Sequence, residues 1–240
     1  MIIVTLKVER EDGWNSNHPH NSVNSYYRGR YARQYNTRWR TYTEKTLAAA
    51  RTLIDGAALQ RVLEQHQRPP RMLDVACGTG ILIQQMLQQM PNMEAYGIDA
   101  SADMLTQASE SLQDHPQVHL ELVDLNAGGL AHSASTLPVF DLITCTNVLH
   151  DIADPRTFFA QLRTLLAPGG QLIIEDFAPR QPILLWAVFE RLLQWIETAP
   201  VHALTVDEAH ALCESAGLRV TAQNTFAINW FWHGWVLRAI

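Results

Sequence analysis

Three features are scarce in this 240-residue sequence, and each scarcity excludes a class of protein. Charged residues make up 18% and the net charge is −6, which argues against a disordered chain and against nucleic acid as the partner. The three cysteines, Cys77, Cys145 and Cys213, have no paired spacing, so we predict neither a disulfide framework nor a metal site, and a reducing, cytoplasmic location. The longest apolar run, Ile183–Phe189, is too short for a transmembrane helix.

Positive charge is concentrated near the start of the chain. Nine of the 18 basic residues fall within the first 51 positions. A basic segment on an acidic protein can meet an anionic substrate, a phosphate or a membrane surface, but it can equally be a solvated helix face. The sequence leaves these alternatives open.

Composition and periodicity divide the chain into three parts. Residues 1–22 are polar and rich in His, Asn and Pro, so we expect a flexible leader. Residues 23–60 are predicted to form a helical lid, with one helix over 24–45 and a second over 46–58. Aromatic residues recur there every four positions, which places their rings on one helix face. They are Tyr27, Tyr31, Tyr35 and Trp39.

Residues 61–240 alternate between strand and helix patterns. Such alternation predicts an α/β fold: a Rossmann-like, mostly parallel sheet of seven strands, with a terminal antiparallel hairpin and helices on both faces. The predicted strands are 71–76, 94–98, 118–123, 140–144, 171–175, 218–228 and 230–240. The predicted helices are 81–90, 102–112, 156–166 and 205–217, with an inserted amphipathic helix over 182–198.

A glycine loop follows the first predicted strand, in the segment Asp74-Val-Ala-Cys-Gly78-Thr-Gly80. Glycines let the backbone turn sharply and approach a ligand, and the helix that follows offers free N–H groups. A dinucleotide fingerprint needs a third glycine where this chain has Ile83, so that class is excluded. A carboxylate at Asp74 suits a cationic ligand better than a pyrophosphate.

Two more acids end the second and third predicted strands. Asp99 is placed to accept hydrogen bonds from ribose hydroxyls. Asp124 can accept from an exocyclic amine while the N–H of Leu125 meets a ring nitrogen. Each acid alone could be an ordinary cap or loop residue. Together with the glycine loop they predict a site for an adenosyl ligand.

The segment Leu73–Gly80 (LDVACGTG) resembles the first motif of class I S-adenosylmethionine-dependent methyltransferases, and the resemblance covers about residues 24–240. It implies S-adenosylmethionine as cofactor and S-adenosylhomocysteine as product. It also implies that Asp74, Gly78 and Gly80 surround the methionine part and that Asp99 holds the ribose. Asp124 and Leu125 would take the adenine, with Ala100 and Met104 packing nearby. The predicted cofactor-binding residues are Asp74, Ala76, Cys77, Gly78, Thr79, Gly80, Asp99, Ala100, Met104, Asp124, Leu125 and Asn147.

Methyl transfer from a sulfonium needs an acceptor held in line with the S–CH₃ bond, and it needs a base only when the acceptor must lose a proton. His150, with Asp151, follows the fourth strand directly and is the best candidate for that base, although it could be a structural histidine. Tyr31 and Tyr35, in a segment that resembles the family's N-terminal lid, complete the predicted catalytic residues.

The predicted function is methyl transfer to O, N or C of a small, apolar or aromatic metabolite. Aromatic residues in the insertion and the tail could cap such an acceptor or belong to the core. They are Trp186, Phe189, Trp195, Phe226, Trp230, Phe231, Trp232 and Trp235. A tRNA or protein methyltransferase, a non-catalytic protein that binds the cofactor, and peripheral membrane contact with a quinone or lipid substrate stay open. Nucleic acid is the disfavoured partner, and the oligomeric state is not predicted.

Overall fold

The computed structural model describes residues 27–133, 136–178, 203–230 and 232–240. The leader predicted over 1–22 and the inserted helix predicted over 182–198 lie outside these residues, together with Trp186, Phe189, Trp195 and Phe231. Within the described ranges, no helix has the length and apolar character needed to cross a bilayer.

Three helices precede the sheet: α1 Gly29–Arg38, α2 Arg40–Leu53 and α3 Gly56–His66. The predicted boundaries in this region were wrong, because the chain breaks at Trp39 and again at Ile54, whose ψ of 121° is extended. Asp55 then starts α3 by accepting a hydrogen bond from the N–H of Ala58 at 2.9 Å. An Asp-Gly pair at this place is a helix-start signal that the apolar periodicity concealed.

The remaining elements confirm the predicted alternation. In chain order they are β1 Arg71–Val75, α4 Ile81–Gln89, β2 Glu94–Asp99, α5 Ala102–Ser111, β3 Val118–Leu122, α6 Gly129–Ser133, β4 Phe140–Thr146, α7 Pro155–Leu165, β5 Leu166–Ala178, α8 Val206–Ser215, β6 Val220–Ala227 and β7 His233–Ala239. The fifth strand is longer than the predicted 171–175, because it pairs with β4 from Leu166 and with β7 as far as Ala178. Most other ends fall within two residues of the prediction.

The seven strands form one sheet in the order β3-β2-β1-β4-β5-β7-β6. Only β7 runs antiparallel to its neighbours, so the predicted fold class is confirmed. The chain moves outward from β1 first to β2 and β3, and then to β4 and β5 on the other side. Ligands of open α/β sheets bind at such a reversal, outside the carboxyl ends of the strands.

Apolar side chains fill the space on both faces of the sheet. One layer lies against α7 and α8 and includes Phe159 and Trp235, both fully buried. The other lies against α2, α4 and α5 and includes Ile83 and Leu112. Burial of side chains of this size stabilises the fold by about 1.5–3 kcal/mol each. Trp235 is therefore a core residue, whereas Trp230 is 83% exposed.

Gly97 on β2 allows α4 to pack closely on the sheet. A Cβ atom added at Gly97 would lie only 2.8–2.9 Å from side-chain atoms of Leu120, Cys77 and Ile83. The position therefore has no room for a side chain. This close packing sets the distance between β2 and the glycine loop that precedes α4.

Candidate functional site

A cavity opens at the carboxyl ends of β1, β2 and β4, beneath the N-terminal helices. Its volume is about 1070 Å³, including space open to solvent, which is enough for a nucleoside ligand and an acceptor. It lies at the reversal of strand order, beside the glycine loop that the sequence predicts to bind the cofactor. Most of the predicted cofactor-binding residues line it: Asp74, Ala76, Cys77, Gly78, Thr79, Asp99, Ala100, Met104, Asp124, Leu125 and Asn147.

Gly80, also predicted to bind the cofactor, is not part of the cavity wall. It has a positive φ of 77°, and a Cβ atom there would lie 2.7 Å from the side chain of Leu112 and 3.3 Å from that of Ala108. Glycine at this position is therefore required for the turn into α4 and for its packing on α5. A cofactor contact at Gly80 stays a prediction.

Asp74 is the most deeply buried acid of the cavity, at 2% exposure. Its Oδ1 accepts a hydrogen bond of 2.6 Å from the hydroxyl of Thr144 on β4. Burial raises the pKa of Asp74 to about 7, and the negative charge of Asp99 adds to the effect, while the Thr144 hydrogen bond opposes it. A cation bound beside Asp74 would favour the ionised carboxylate.

Asp99 holds the glycine loop in place. Its Oδ2 accepts from the N–H of Gly78 and its Oδ1 from the N–H of Ser101, both at 2.8 Å. Burial raises the pKa of Asp99, and these N–H groups oppose the shift. Because an ionised carboxylate offers about four acceptor positions, Asp99 can still accept from a ligand's hydroxyl groups.

Asp124 caps the short turn Leu125–Ala127 at the end of β3. Its Oδ1 accepts from the N–H groups of Asn126 and Ala127 at 3.0 and 3.3 Å. The Asn126 side chain in turn donates to the carbonyl of Asp151 at 2.9 Å. This bridge connects the predicted adenine side of the cavity with the loop that carries His150.

Two residues of the cavity wall adopt the left-handed backbone region without being glycine: Ala76, with φ 58°, and Asn147, with φ 55°. Such conformations are costly for residues with a Cβ and are often found at functional sites. Both residues directly follow strands, β1 and β4. The strain therefore lies in the two loops that face the cavity.

The N-terminal helices are closed over the cavity. The hydroxyl of Thr79, in the glycine loop, donates to Asn36 Oδ1 on α1 at 2.7 Å. The hydroxyl of Ser101 donates to the carbonyl of Tyr27. Tyr27, Tyr35, Thr43 and Leu47 line the cavity from this side. These contacts connect the predicted lid to the cofactor loops.

Of the predicted catalytic residues, the cavity wall includes Asp151 and Tyr35 and does not include Tyr31. The Tyr31 hydroxyl instead accepts a hydrogen bond of 2.8 Å from the indole N–H of Trp39. Its ring also lies edge-on to those of Tyr27 and Tyr35, at centroid distances of 5.8 and 6.3 Å. In this structure Tyr31 packs within an aromatic stripe formed with Tyr27, Tyr35 and Trp39, and it is not among the residues that line the cavity.

His150 lies behind the cavity wall, held by an acid that the sequence analysis missed. Asp176 on β5, 1% exposed, accepts from His150 Nδ1 at 2.8 Å and from the His150 backbone N–H at 3.0 Å. The other ring nitrogen, Nε2, lies 3.6 Å from Asp151 Oδ2. Burial raises the pKa of Asp151, and His150 opposes that shift. The signal for Asp176 was the acidic pair at the end of the fifth strand.

The cavity wall carries one sign of charge. Its lining includes Asp74, Asp99, Asp124 and Asp151, and within the described part of the chain it includes no Lys, Arg or His. The exposed arginines of α1, such as Arg30 and Arg33, are not among the lining residues. The wall therefore favours a cationic ligand and disfavours an anionic one.

A family comparison agrees with this geometry. Residues 73–172 match the model of a methyltransferase domain, over β1 to β5 and the loops that form the cavity. These residues are therefore similar to a methyltransferase domain.

Curated relatives match the methyltransferase domain over part of their length. A malonyl-[acyl-carrier protein] O-methyltransferase of Halalkalibacterium halodurans is 29% identical over 126 residues, which are 50% of this chain and 46% of the relative. A demethylmenaquinone methyltransferase of Deinococcus radiodurans is 30% identical over 128 residues, 53% of this chain and 52% of the relative. The chain thus spans about half the length of these relatives, or less.

Solved structures share the fold of the methyltransferase domain. Magnesium protoporphyrin IX methyltransferase of Synechocystis PCC 6803, with bound SAH, has a TM-score of 0.58 at 18% identity, covering 92% of this chain and 99% of that one. An O-methyltransferase family 2 protein of Planctomyces limnophilus, in complex with apigenin, has a TM-score of 0.64 at 20% identity, covering 87% and 61%.

Proposed function

We propose that this chain is an S-adenosylmethionine-dependent methyltransferase that acts on O, N or C of a small, apolar or aromatic acceptor. The observation that carries the proposal is the cavity at the strand-order reversal. There three acids near the carboxyl ends of β1, β2 and β3, which are Asp74, Asp99 and Asp124, line the same cavity as the glycine loop. Relatives named for methylation of a quinone precursor, a porphyrin and a carrier-bound malonyl group support a small-molecule acceptor.

The residues of the cavity fit the cofactor. The methionine part, with its sulfonium and ammonium charges, would lie near Asp74, whose buried carboxyl has no cationic side chain within hydrogen-bond distance among the described residues. Asp99 would accept from the ribose hydroxyls, and Asp124 with Leu125 would hold the adenine, while Ala100 and Met104 pack beside it. When bound, the cofactor supplies an activated methyl group. The chain has to orient the acceptor and exclude water.

His150 is proposed as the general base for an acceptor that loses a proton. Asp176 accepts from Nδ1, which fixes the tautomer that leaves the lone pair on Nε2. An Asp beside the imidazole also stabilises the imidazolium that forms when Nε2 takes the proton. Asp151 lines the cavity, and its Oδ2 lies 3.6 Å from Nε2, which supports a role for this nitrogen at the acceptor.

Cofactor binding is tested first by calorimetry with S-adenosylmethionine and S-adenosylhomocysteine. Turnover is tested next by release of S-adenosylhomocysteine with phenols, aromatic amines and quinols as acceptors. A folded protein that binds neither compound would refute the proposal. A protein that binds both compounds and turns over none of the acceptors would instead favour a non-catalytic protein that binds the cofactor.

The base is tested with His150→Ala and Asp176→Asn. We expect His150→Ala to lower kcat by about 10²–10⁴ with an oxygen acceptor, with S-adenosylhomocysteine affinity changed less than about twofold. Asp176→Asn should lower kcat less and shift the pH profile, since it changes the orientation and basicity of the imidazole. An unchanged rate in His150→Ala would remove it as a base.

A cytoplasmic location stays part of the proposal, with Cys77, Cys145 and Cys213 unpaired and buried.

A further inference from the structure

Glu175 on β5 is a buried acid that the proposed chemistry does not use. Its side chain is fully buried, and neither carboxyl oxygen has a hydrogen-bond partner in the described part of the chain. It pairs in register with Thr146 on β4 and Val236 on β7. A buried carboxyl group without partners is rare in proteins, because its desolvation is not offset, and it calls for an explanation.

A second unpaired oxygen lies beside it. Asn147 Oδ1 is buried without a partner among the described residues, although Asn147 Nδ2 donates to the hydroxyl of Thr46 on α2 at 3.0 Å. The backbone N–H of Asn147 donates to the Glu175 carbonyl at 3.0 Å. Burial raises the pKa of the Glu175 carboxyl, and the same Asn147 N–H group is close enough to that carboxyl to oppose the rise. Asn147 lines the cavity, and so does Thr146, the register partner of Glu175, so the Glu175 carboxyl lies directly behind this part of the wall.

The chemistry of these atoms identifies the kind of ligand. The two oxygens of an ionised Glu175 and the Asn147 amide oxygen only accept hydrogen bonds, so they need several N–H donors at one place. A hydroxyl donates a single hydrogen bond, whereas an ammonium or amidinium group donates several and also neutralises the carboxylate. The cavity wall, with four aspartates and no cationic side chain in the described ranges, favours the same charge.

We propose that Glu175 and Asn147 Oδ1 form a subsite that binds a cationic nitrogen group, an ammonium or amidinium, of the methyl acceptor. The proposal rests on the proposed methyltransferase function and adds the charge of the substrate to it.

The position of Glu175 separates this subsite from the predicted cofactor contacts. Those acids end β1 and β2 or follow β3, whereas β5 lies on the other side of β4. The charges of Glu175 and Asp176 both raise the pKa of the Tyr42 hydroxyl on α2, after the larger effect of burial, so the two acids lie near this lid residue. Glu175 and the proposed base pair therefore lie behind the same part of the cavity wall, the residues at the end of β4.

Binding to protein saturated with S-adenosylhomocysteine tests the proposal, with 2-phenylethylammonium as the cationic probe and 2-phenylethanol as its neutral counterpart. Glu175→Gln removes the charge at nearly constant shape, and Glu110→Gln makes the same change at an exposed position of α5. We expect Glu175→Gln to weaken the binding of 2-phenylethylammonium about tenfold or more, and the binding of 2-phenylethanol less than about twofold. Glu110→Gln should affect neither probe.

Three results would overturn the proposal. They are no binding of the ammonium probe to the wild-type protein, equal weakening of both probes by Glu175→Gln, and a tenfold loss of S-adenosylhomocysteine affinity in that variant. The last result would place Glu175 in the cofactor site. Failure of the wild-type protein to bind S-adenosylhomocysteine would instead refute the methyltransferase function itself, so the two failures are distinguishable.

A stability measurement tests the unpaired carboxyl without any ligand. Glu175→Met keeps the approximate length of the side chain and removes the buried polar atoms. We expect the melting temperature of the ligand-free protein to rise by about 2–4 °C, because a group kept for binding a ligand is a cost to the empty fold. A fall in melting temperature would show that the carboxyl has a structural partner and would overturn the subsite.

Discussion

The pKa of Asp74 leads to a quantitative prediction about cofactor binding. Burial raises this pKa to about 7 in the ligand-free protein, so a proton occupies the carboxyl at pH 6 and has largely left it at pH 8. With that pKa, roughly a tenth of the molecules are ionised at pH 6 and roughly nine tenths at pH 8. A cationic cofactor binds the ionised form. We therefore expect the affinity for S-adenosylmethionine to rise about tenfold between these pH values, which is about 1.4 kcal/mol.

Calorimetry in two buffers of different ionisation enthalpy measures both the affinity and the protons released. At pH 6 binding should release close to one proton from Asp74, and at pH 8 almost none. The matched variant is Asp74→Asn, which keeps the shape and cannot ionise. It should bind more weakly at pH 8 and lose most of the pH dependence. An affinity of the wild-type protein that is equal at both pH values, with no proton release, would refute the reasoning.

The same burial predicts how stability depends on pH. The pKa values of Asp74, Asp99 and Asp151 are all raised by desolvation in the folded state. A raised carboxyl pKa means that the folded state binds more protons than the unfolded state between the two pKa values, so stability is lost as the pH rises through that interval. For Asp74 the interval is from about 4 to about 7, with a slope of at most about 1.4 kcal/mol per pH unit. Urea unfolding of the ligand-free protein at several pH values measures this slope. A free energy of unfolding that stays constant across the interval would contradict the prediction.

Three further predictions concern packing, the lid and a helix cap. Gly97→Ala should destabilise the fold by about 1–3 kcal/mol in urea unfolding, since its Cβ would meet three side chains, and an unchanged midpoint would contradict this packing. Thr79→Val removes the hydrogen bond to Asn36 and should increase hydrogen exchange over α1. The control Thr52→Val, at an exposed hydroxyl of α2, should leave hydrogen exchange over α1 unchanged. Equal effects of the two variants would show that the Thr79–Asn36 hydrogen bond does not hold α1 in place. Asp55→Ala should cost about 1 kcal/mol through the loss of the α3 cap, and no loss would show that the cap is redundant.

Much of the cofactor side of the site could be predicted from the sequence because its signals are local. Asp74 and Asp99 lie at or next to the last residue of β1 and β2, and Asp124 lies two residues after β3. The carboxyl ends of parallel strands meet at one edge of the sheet. The glycine loop specifies its own turn. Eleven of the predicted cofactor residues therefore lie together in the cavity wall, although their binding roles stay predictions.

The acceptor side was less predictable because its partners are distant in sequence. His150 and Asp176 are 26 residues apart, and Asn147 and Thr46 are 101 apart. Which acid of the pair Glu175-Asp176 meets the imidazole depends on which face of β5 each side chain takes, and this follows from the register with β4 and β7. The break at Ile54 differs from these contacts, because the Asp55 cap that follows it is a local signal in the sequence.

The sequence by itself determined the alternation of strands and helices, the glycine loop and the row of acids, because periodicity, turn chemistry and strand ends are properties of short segments. Only the tertiary structure decided that Tyr31 supports the aromatic stripe, that Asp176 holds His150 and that the Glu175 carboxyl has no hydrogen-bond partner among the described residues. These facts depend on strand register and on the packing of α1 and α2 over the sheet. Such packing joins residues that no local pattern connects.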